Sequence, residues 1–182
     1  MHGAGDRSVE IYLKALQKEE LPTHISIGLA ADLMLKKQFM LATAESCTGG
    51  MVAAACTDVS GSSAWFERGF VSYSNEAKTD MLGVDAALID RDGAVSESVA
   101  RAMAAGALTH SRAQVSLAVT GVAGSTGGSD AKPVGTVWFA WATPQGVTST
   151  VQHFPGDRAA VRQATVRHAL HELVVLLQGL PA

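Results

Sequence analysis

The chain has 182 residues, 47% of them apolar and 17% charged, with a formal net charge of −3. That is enough apolar sequence to bury one core without disulfide staples, and too little charge for a disordered tail. The charge gives no general attraction to nucleic acid or an anionic membrane, and no strip of interleaved basic and aromatic residues is present for stacking bases.

The first twenty or so residues are polar and mixed, a peripheral segment with at most a short helix. A stronger helix follows Pro22, with Ile25, Leu29 and Leu33 on one face, widened by Ile27, Ala30 and Met34. A buried strand is expected over Phe39 to Thr43. The polar turn Thr43-Ala44-Glu45-Ser46-Cys47-Thr48-Gly49-Gly50 leads from it into a helix from about Gly50 to Asp58. Phe70 to Tyr73 reads as a second short strand, and Asn75 starts a helix that Gly83 stops. Ser96-Glu97 opens an alanine-rich helix running to Leu108. Val115 to Val119 is an apolar strand that feeds the glycine-rich stretch from Gly121 to Ser129. Val134 to Ala142 and Val147 to Phe154 flank Pro144-Gln145-Gly146 and read as an antiparallel hairpin. The last helix starts near Asp157, a natural cap, with Val161, Ala164, Leu170, Leu173, Val174 and Leu177 on one broad face.

Strands alternating with helices predict a three-layer α/β/α sandwich, and the hairpin makes its sheet mixed. Ligands of such sheets gather at the carboxyl ends of strands, where this chain carries its two most polar, glycine-rich turns. One domain is expected over 1–182, with 1–23 peripheral and 24–178 as core. Cys47 and Cys56 have neither disulfide-framework nor metal-site spacing, as in a reduced, cytoplasmic protein. Met1 to Arg7 carries no apolar signal segment, and no run approaches a membrane-spanning length.

The Ser46 turn offers three candidate nucleophiles, Ser46, Cys47 and Thr48, at a helix start whose free N–H groups could hold an oxyanion; a plain helix cap would satisfy the same residues. Serine needs a base. The six histidines are poorly suited: His2 is terminal, and His24, His110, His153, His168 and His171 read as solvent-facing. Lys78 is the other route, since burial can lower a lysine's pKa, but its spacing alone favours an exposed lysine on an amphipathic helix. The loop from Gly121 to Gly128 matches neither the P-loop nor the dinucleotide fingerprint, and Lys132-Pro133 either closes a site or ends the loop. The order in His168-Ala169-Leu170-His171-Glu172 is not that of a zinc helix, so no metal is expected.

Taken together, Ala44 to Gly50, Gly61 to Lys78, Gly93 to Glu97, Thr120 to Gly124, Lys132 to Val137 and Phe154 to Arg158 closely resemble the CinA C-terminal domain family, over about residues 25 to 178. The chain looks like the stand-alone form, without the nucleotide-pyrophosphatase domain of longer CinA proteins. The resemblance implies an α/β/α fold with a mixed sheet, a homodimer or higher homo-oligomer, and nicotinamide-nucleotide amidase activity in pyridine nucleotide recycling. A small-molecule nucleotide is then the substrate, with no cofactor, nucleic acid or membrane partner. One departure is visible: Ser125-Thr126 stand where many relatives carry Pro-Asp.

With the resemblance, the residues take roles. Ser46 is expected to attack the carboxamide carbon of nicotinamide mononucleotide, and Lys78 to take its proton. Tyr73 would orient Lys78 or the leaving group. Backbone N–H groups of Thr48, Gly49 and Gly50 would hold the oxyanion. Thr120, Gly121, Gly124, Gly127 and Gly128 would line the ribose-phosphate side, with Glu45 an anchor in the same pocket rather than the base. The competing readings are a nucleotide-binding module without turnover, and an amidase for another small carboxamide.

Overall fold

The computed structural model describes residues 19–181, so the peripheral segment expected at the N-terminus lies almost wholly outside the described residues. Helix α1 (Thr23–Lys37) starts directly after Pro22. Its buried stripe is Ile27, Ala30, Ala31 and Met34. The expected Ile25, Leu29 and Leu33 face is only half-buried; the two small alanines let the other stripe come closest to the core.

Strand β1 (Leu41–Glu45) is buried throughout and runs two residues further than expected, so it ends directly at Ser46. Helix α2 (Met51–Thr57) follows the polar turn. Strand β2 (Phe66–Val71) begins four residues before the expected Phe70, because an edge strand can carry the Glu67–Arg68 ion pair. Helix α3 (Asn75–Leu82) is capped by Ser74 and closed by Gly83 at φ 68°. Helix α4 (Ala86–Asp92) was not foreseen; its seven residues are too few to show periodicity, although Asp85 caps it. Helix α5 (Glu97–Thr109), with Ser96 as its cap, leads to β3 (Val115–Gly121). The hairpin β4 (Thr136–Thr143) and β5 (Gly146–His153) precedes α6 (Arg158–Gly179), which Asp157 caps.

The sheet order is β2-β1-β3-β4-β5. Strand β1 is parallel to both neighbours, whereas β3, β4 and β5 are antiparallel in turn. The expected mixed three-layer sandwich is therefore the observed fold. Alternation along the strands divides the core by size. Leu41, Leu117, Val119, Phe139 and Trp141 face one layer with residues of α1, α2 and α6, and Trp65 is buried there. Ala42, Ala44, Ala118, Ala140 and Ala142 face α3, α4 and α5. Alanine-on-alanine packing brings α5 close to the sheet, and it approaches α3 so tightly that a Cβ on Gly106 would lie 2.0 Å from the Leu82 carbonyl oxygen. No helix among the described residues is long and apolar enough to cross a membrane.

Candidate active site

The carboxyl ends of β1, β2 and β3 lie side by side, and each is followed by a polar segment. The Ser46 N–H bonds the Val119 carbonyl (3.1 Å) and the Ser72 N–H bonds the Glu45 carbonyl (2.9 Å), so the ladder carries Ser46 and Ser72 one residue past their strands. The chain then turns sharply. Gly49 (φ 59°) and Gly50 (φ 103°) sit in the left-handed region, which glycine enters without a Cβ penalty. Glu45 fixes this turn from beneath. Its buried carboxylate accepts from the Thr48 hydroxyl (2.6 Å) and from the N–H groups of Val52 (2.8 Å) and Ala53 (3.0 Å), the open donors of the first turn of α2. Those bonds occupy the carboxylate beneath the Ser46 turn, so Glu45, expected in the substrate pocket, braces the turn instead.

Lys78 is 1% exposed, so the exposed-lysine reading drawn from spacing is corrected. It lies near the start of α3, and helical side chains lean towards the N-terminus, which aims its ammonium at the end of β2. There Nζ is 3.0 Å from the Ser72 carbonyl oxygen, 3.2 Å from that of Tyr73 and 3.1 Å from Ser46 Oγ. Burial draws the Lys78 pKa below the ordinary lysine value. An amine held this way can give its two hydrogens to the Ser72 and Tyr73 carbonyls and turn its lone pair to the Ser46 hydroxyl.

Burial pushes the Cys47 thiol up to about 12, which leaves it protonated and removes it as a rival nucleophile. Of the expected oxyanion donors, the Gly49 N–H is already bonded to the Ser46 carbonyl at 3.0 Å. Thr48 and Gly50 remain. Tyr73 does touch Lys78, but through its backbone carbonyl; its ring is 61% exposed and its hydroxyl accepts from Arg158 Nη2 (3.2 Å).

The glycine-rich loop is built for packing. The Thr120 hydroxyl donates to the Ala94 carbonyl (2.8 Å). A Cβ at Gly121, Gly124 or Gly128 would come within 2.6–2.8 Å of Val137 or Val134 atoms, so these glycines let the loop fold back on its own return strand. Gly127, by contrast, at φ 87°, would bring a Cβ no closer than 3.9 Å, an ordinary contact with Val122 Cγ1. Lys132 pins the loop by donating to the Asp92 carbonyl (2.9 Å) at the end of α4.

Two residues that sequence reasoning gave no role stand at the site. Arg158 donates to the Gly124 carbonyl (2.6 Å) as well as to Tyr73, linking the glycine-rich loop to the end of β2. One turn further along α6, Arg162 donates from Nε to the Cys47 carbonyl (3.1 Å) and from Nη2 to the Thr48 carbonyl (3.2 Å). The i, i+4 spacing of two arginines just after the Asp157 cap was the available signal.

The histidine expectation needs one correction. His24, His110 and His153 are exposed, but His168 and His171 are buried. α6 is sandwiched between α1 and the sheet, so even its polar positions find cover. His168 lies among Phe139, Trp141 and Phe154, with Nδ1 2.5 Å from Glu20 Oε1, and His171 Nδ1 accepts from the Leu21 N–H (3.2 Å). Both tie α6 to the segment before α1, and neither touches Ser46 or Lys78. No cluster of three or more His, Cys, Asp or Glu among the described residues is arranged to hold a metal.

The family model described as the CinA C-terminal domain matches residues 26–177. The chain belongs to that family. Among curated CinA-type relatives, it is 56% identical over 132 residues to the nicotinamide-nucleotide amidohydrolase PncC of Escherichia coli K12, covering 72% of this chain and 80% of that one. It is 49% identical over 160 residues to the PncC protein of Enterobacter agglomerans, covering 85% and 94%. A solved CinA-superfamily structure from Klebsiella pneumoniae superposes with a TM-score of 0.84 at 37% identity, covering 88% of this chain and all of the other.

Proposed function

We propose that the chain is a nicotinamide-nucleotide amidohydrolase, converting nicotinamide mononucleotide to nicotinate mononucleotide and ammonia through a serine nucleophile and a lysine base. The observation that carries the reading is the 3.1 Å approach of Lys78 Nζ to Ser46 Oγ in a buried setting where burial favours the neutral amine. Relatives at 49–56% identity that bear the amidohydrolase name support the reaction class.

In the first step neutral Lys78 accepts the Ser46 hydroxyl proton as Oγ bonds to the carboxamide carbon. The carbonyl π pair moves onto oxygen, where the Thr48 and Gly50 N–H groups hold the oxyanion; such a donor contributes about 3–4 kcal/mol in measured cases. The Lys78 ammonium then gives its proton to the amide nitrogen, the C–N bond breaks and ammonia leaves. Water attacks the resulting ester while Lys78 takes the water's proton. The carbonyl re-forms, the ester C–O bond breaks, and Lys78 returns the proton to Ser46 Oγ. Arg158 and Arg162 give this mouth two cationic groups in a chain of net charge −3, which suits a substrate with an anionic phosphate tail.

The test is ammonia release from nicotinamide mononucleotide by purified protein, with Ser46→Ala alongside. Release that vanishes in the variant supports the reading. A wild-type protein that binds the nucleotide and releases nothing overturns it.

A further inference from the structure

Three hydroxyl side chains stand in a row where the carboxyl ends of β2, β1 and β3 meet the site. The last pairs of the two parallel ladders are Glu45 with Val71 and Glu45 with Val119, so Ser72, Ser46 and Thr120 follow at one level. The bonds from the Ser72 N–H to the Glu45 carbonyl and from the Ser46 N–H to the Val119 carbonyl carry the register that far. Strand alternation puts all three side chains on the face that Ala44, Phe70 and Ala118 turn towards α3, α4 and α5. Neighbouring strands lie about 4.8 Å apart, so Ser72 and Ser46 are immediate neighbours.

Two of the three hydroxyls are engaged. Thr120 Oγ1 donates to the Ala94 carbonyl (2.8 Å), and Ser46 Oγ lies 3.1 Å from Lys78 Nζ. Ser72 is 0% exposed, and its Oγ has no hydrogen-bond partner among the described residues. A buried hydroxyl left this way is unfavourable by itself, and such an atom marks either strain or a role in another state of the molecule. The hydroxyls of Ser26 and Thr43 are also unpartnered, but Ser26 lies in α1 and Thr43 on the opposite face of β1. Ser72 is the one beside the lysine, since its own carbonyl accepts from Lys78 Nζ at 3.0 Å.

Hydrolysis of the ester brings in a molecule that must be aimed. The amide nitrogen of the first half-reaction is carried into place by the nucleotide to which it is bonded. Water has only its hydrogen bonds. It must present one O–H to Lys78 Nζ and a lone pair to the ester carbon, which leaves its second O–H in need of an acceptor. The two hydrogens of the neutral amine are committed to the Ser72 and Tyr73 carbonyls, so Lys78 fixes the water at one point. The Ser72 hydroxyl, turned to another staggered χ1 position, fixes it at a second.

We propose that the Ser72 hydroxyl accepts the second hydrogen of the water that hydrolyses the Ser46 ester. Lys78 Nζ takes the first hydrogen as a proton, the water oxygen bonds to the ester carbon, and the carbonyl π pair moves onto oxygen. Ser72 keeps its own hydrogen throughout and forms no covalent bond. This role rests on the amidase reading and adds a residue to the second half of that reaction alone.

Ser72→Ala, assayed with nicotinamide mononucleotide, is the test. The variant loses only a hydroxyl without a partner, so its melting temperature is expected to match the wild type. Its kcat should fall about 5- to 10-fold, the worth of one neutral hydrogen bond, and KM should fall by the same factor. The ratio kcat/KM, which reports acylation, should stay unchanged. Ammonia equal to the enzyme should appear as a burst before the slow phase, and intact-mass spectrometry of quenched protein should show the Ser46 ester. Ser72→Thr keeps a hydroxyl and should turn over without the burst. An unchanged kcat with no ester, a kcat/KM that falls as far as kcat, a lowered melting temperature, or the same burst in Ser72→Thr overturns the role. Those outcomes leave the amidase reading standing, because the wild type still releases ammonia; a wild type that releases none removes both.

Discussion

Ser46 and Lys78 are 32 residues apart in the chain and their side chains meet at 3.1 Å, Ser46 just past the end of β1 and Lys78 reaching from α3 to the end of the parallel neighbour β2. If Lys78 is the base, Lys78→Met should cut turnover by about 10²–10⁴-fold, the usual contribution of a positioned proton acceptor. The same substitution should not lower the melting temperature, because methionine fills the buried volume without a charge to desolvate. Calorimetry beside steady-state kinetics reads both; loss of fold together with loss of rate would make Lys78 a structural residue.

The pH profile follows from the sign of the Lys78 shift. If Lys78 is the base, the neutral amine is the active form, and burial lowers the pKa at which it appears. The rate should therefore rise with pH through an acidic limb that lies below the ordinary lysine range and belongs to Lys78. Replacing Lys78 should remove that limb from whatever residual rate is left. A limb that persists unchanged assigns it to another group.

Glu45→Gln isolates the anchor. An amide keeps one acceptor but turns an NH₂ towards N–H donors, so one of Val52 and Ala53 loses its partner. A stability loss of about 1–3 kcal/mol is expected in denaturant unfolding, the usual penalty of an unpaired buried donor. kcat should fall more than KM rises, because the turn that carries Ser46 moves while the outer pocket stays.

The two arginines should separate by kinetic parameter. Arg162→Met frees the Cys47 and Thr48 carbonyls, loosening the Ser46 turn, and should act on kcat. Arg158→Met, at the Tyr73 and Gly124 side, should raise KM for the nucleotide. It should leave the response to the dephosphorylated nucleoside nearly unchanged. An equal loss on both substrates would show that Arg158 holds the loop and not the phosphate.

With its thiol pKa pushed up to about 12 by burial, Cys47 is almost wholly un-ionised near neutral pH. Iodoacetamide should leave activity intact over an incubation that alkylates an exposed thiol. Inactivation that substrate prevents would place a reactive cysteine at the site.

Much of this was written in local chemistry. Ser74, Ser96 and Asp157 each accept an N–H in the first turn of the helix that follows, so the starts of α3, α5 and α6 were readable as caps. Gly83 marked the end of α3 and Pro144-Gln145-Gly146 marked the hairpin, because each is decided by a few adjacent residues. The ordered motifs also brought Ser46, Tyr73 and Lys78 forward as candidate site residues. What they could not give was direction. Burial is a sum over neighbours from distant parts of the chain, so Lys78 and His168 read as surface residues until α3 and α6 were packed. Tyr73 acts on Lys78 through a carbonyl that every residue has, and Arg158 and Arg162 reach the site only because α6 starts beside it. The sequence by itself determined most of the elements, though not α4, and brought the candidate groups Ser46 and Lys78 forward. The tertiary structure alone decided which groups meet, since a desolvated lysine beside a serine exists only when two strand ends and a helix converge.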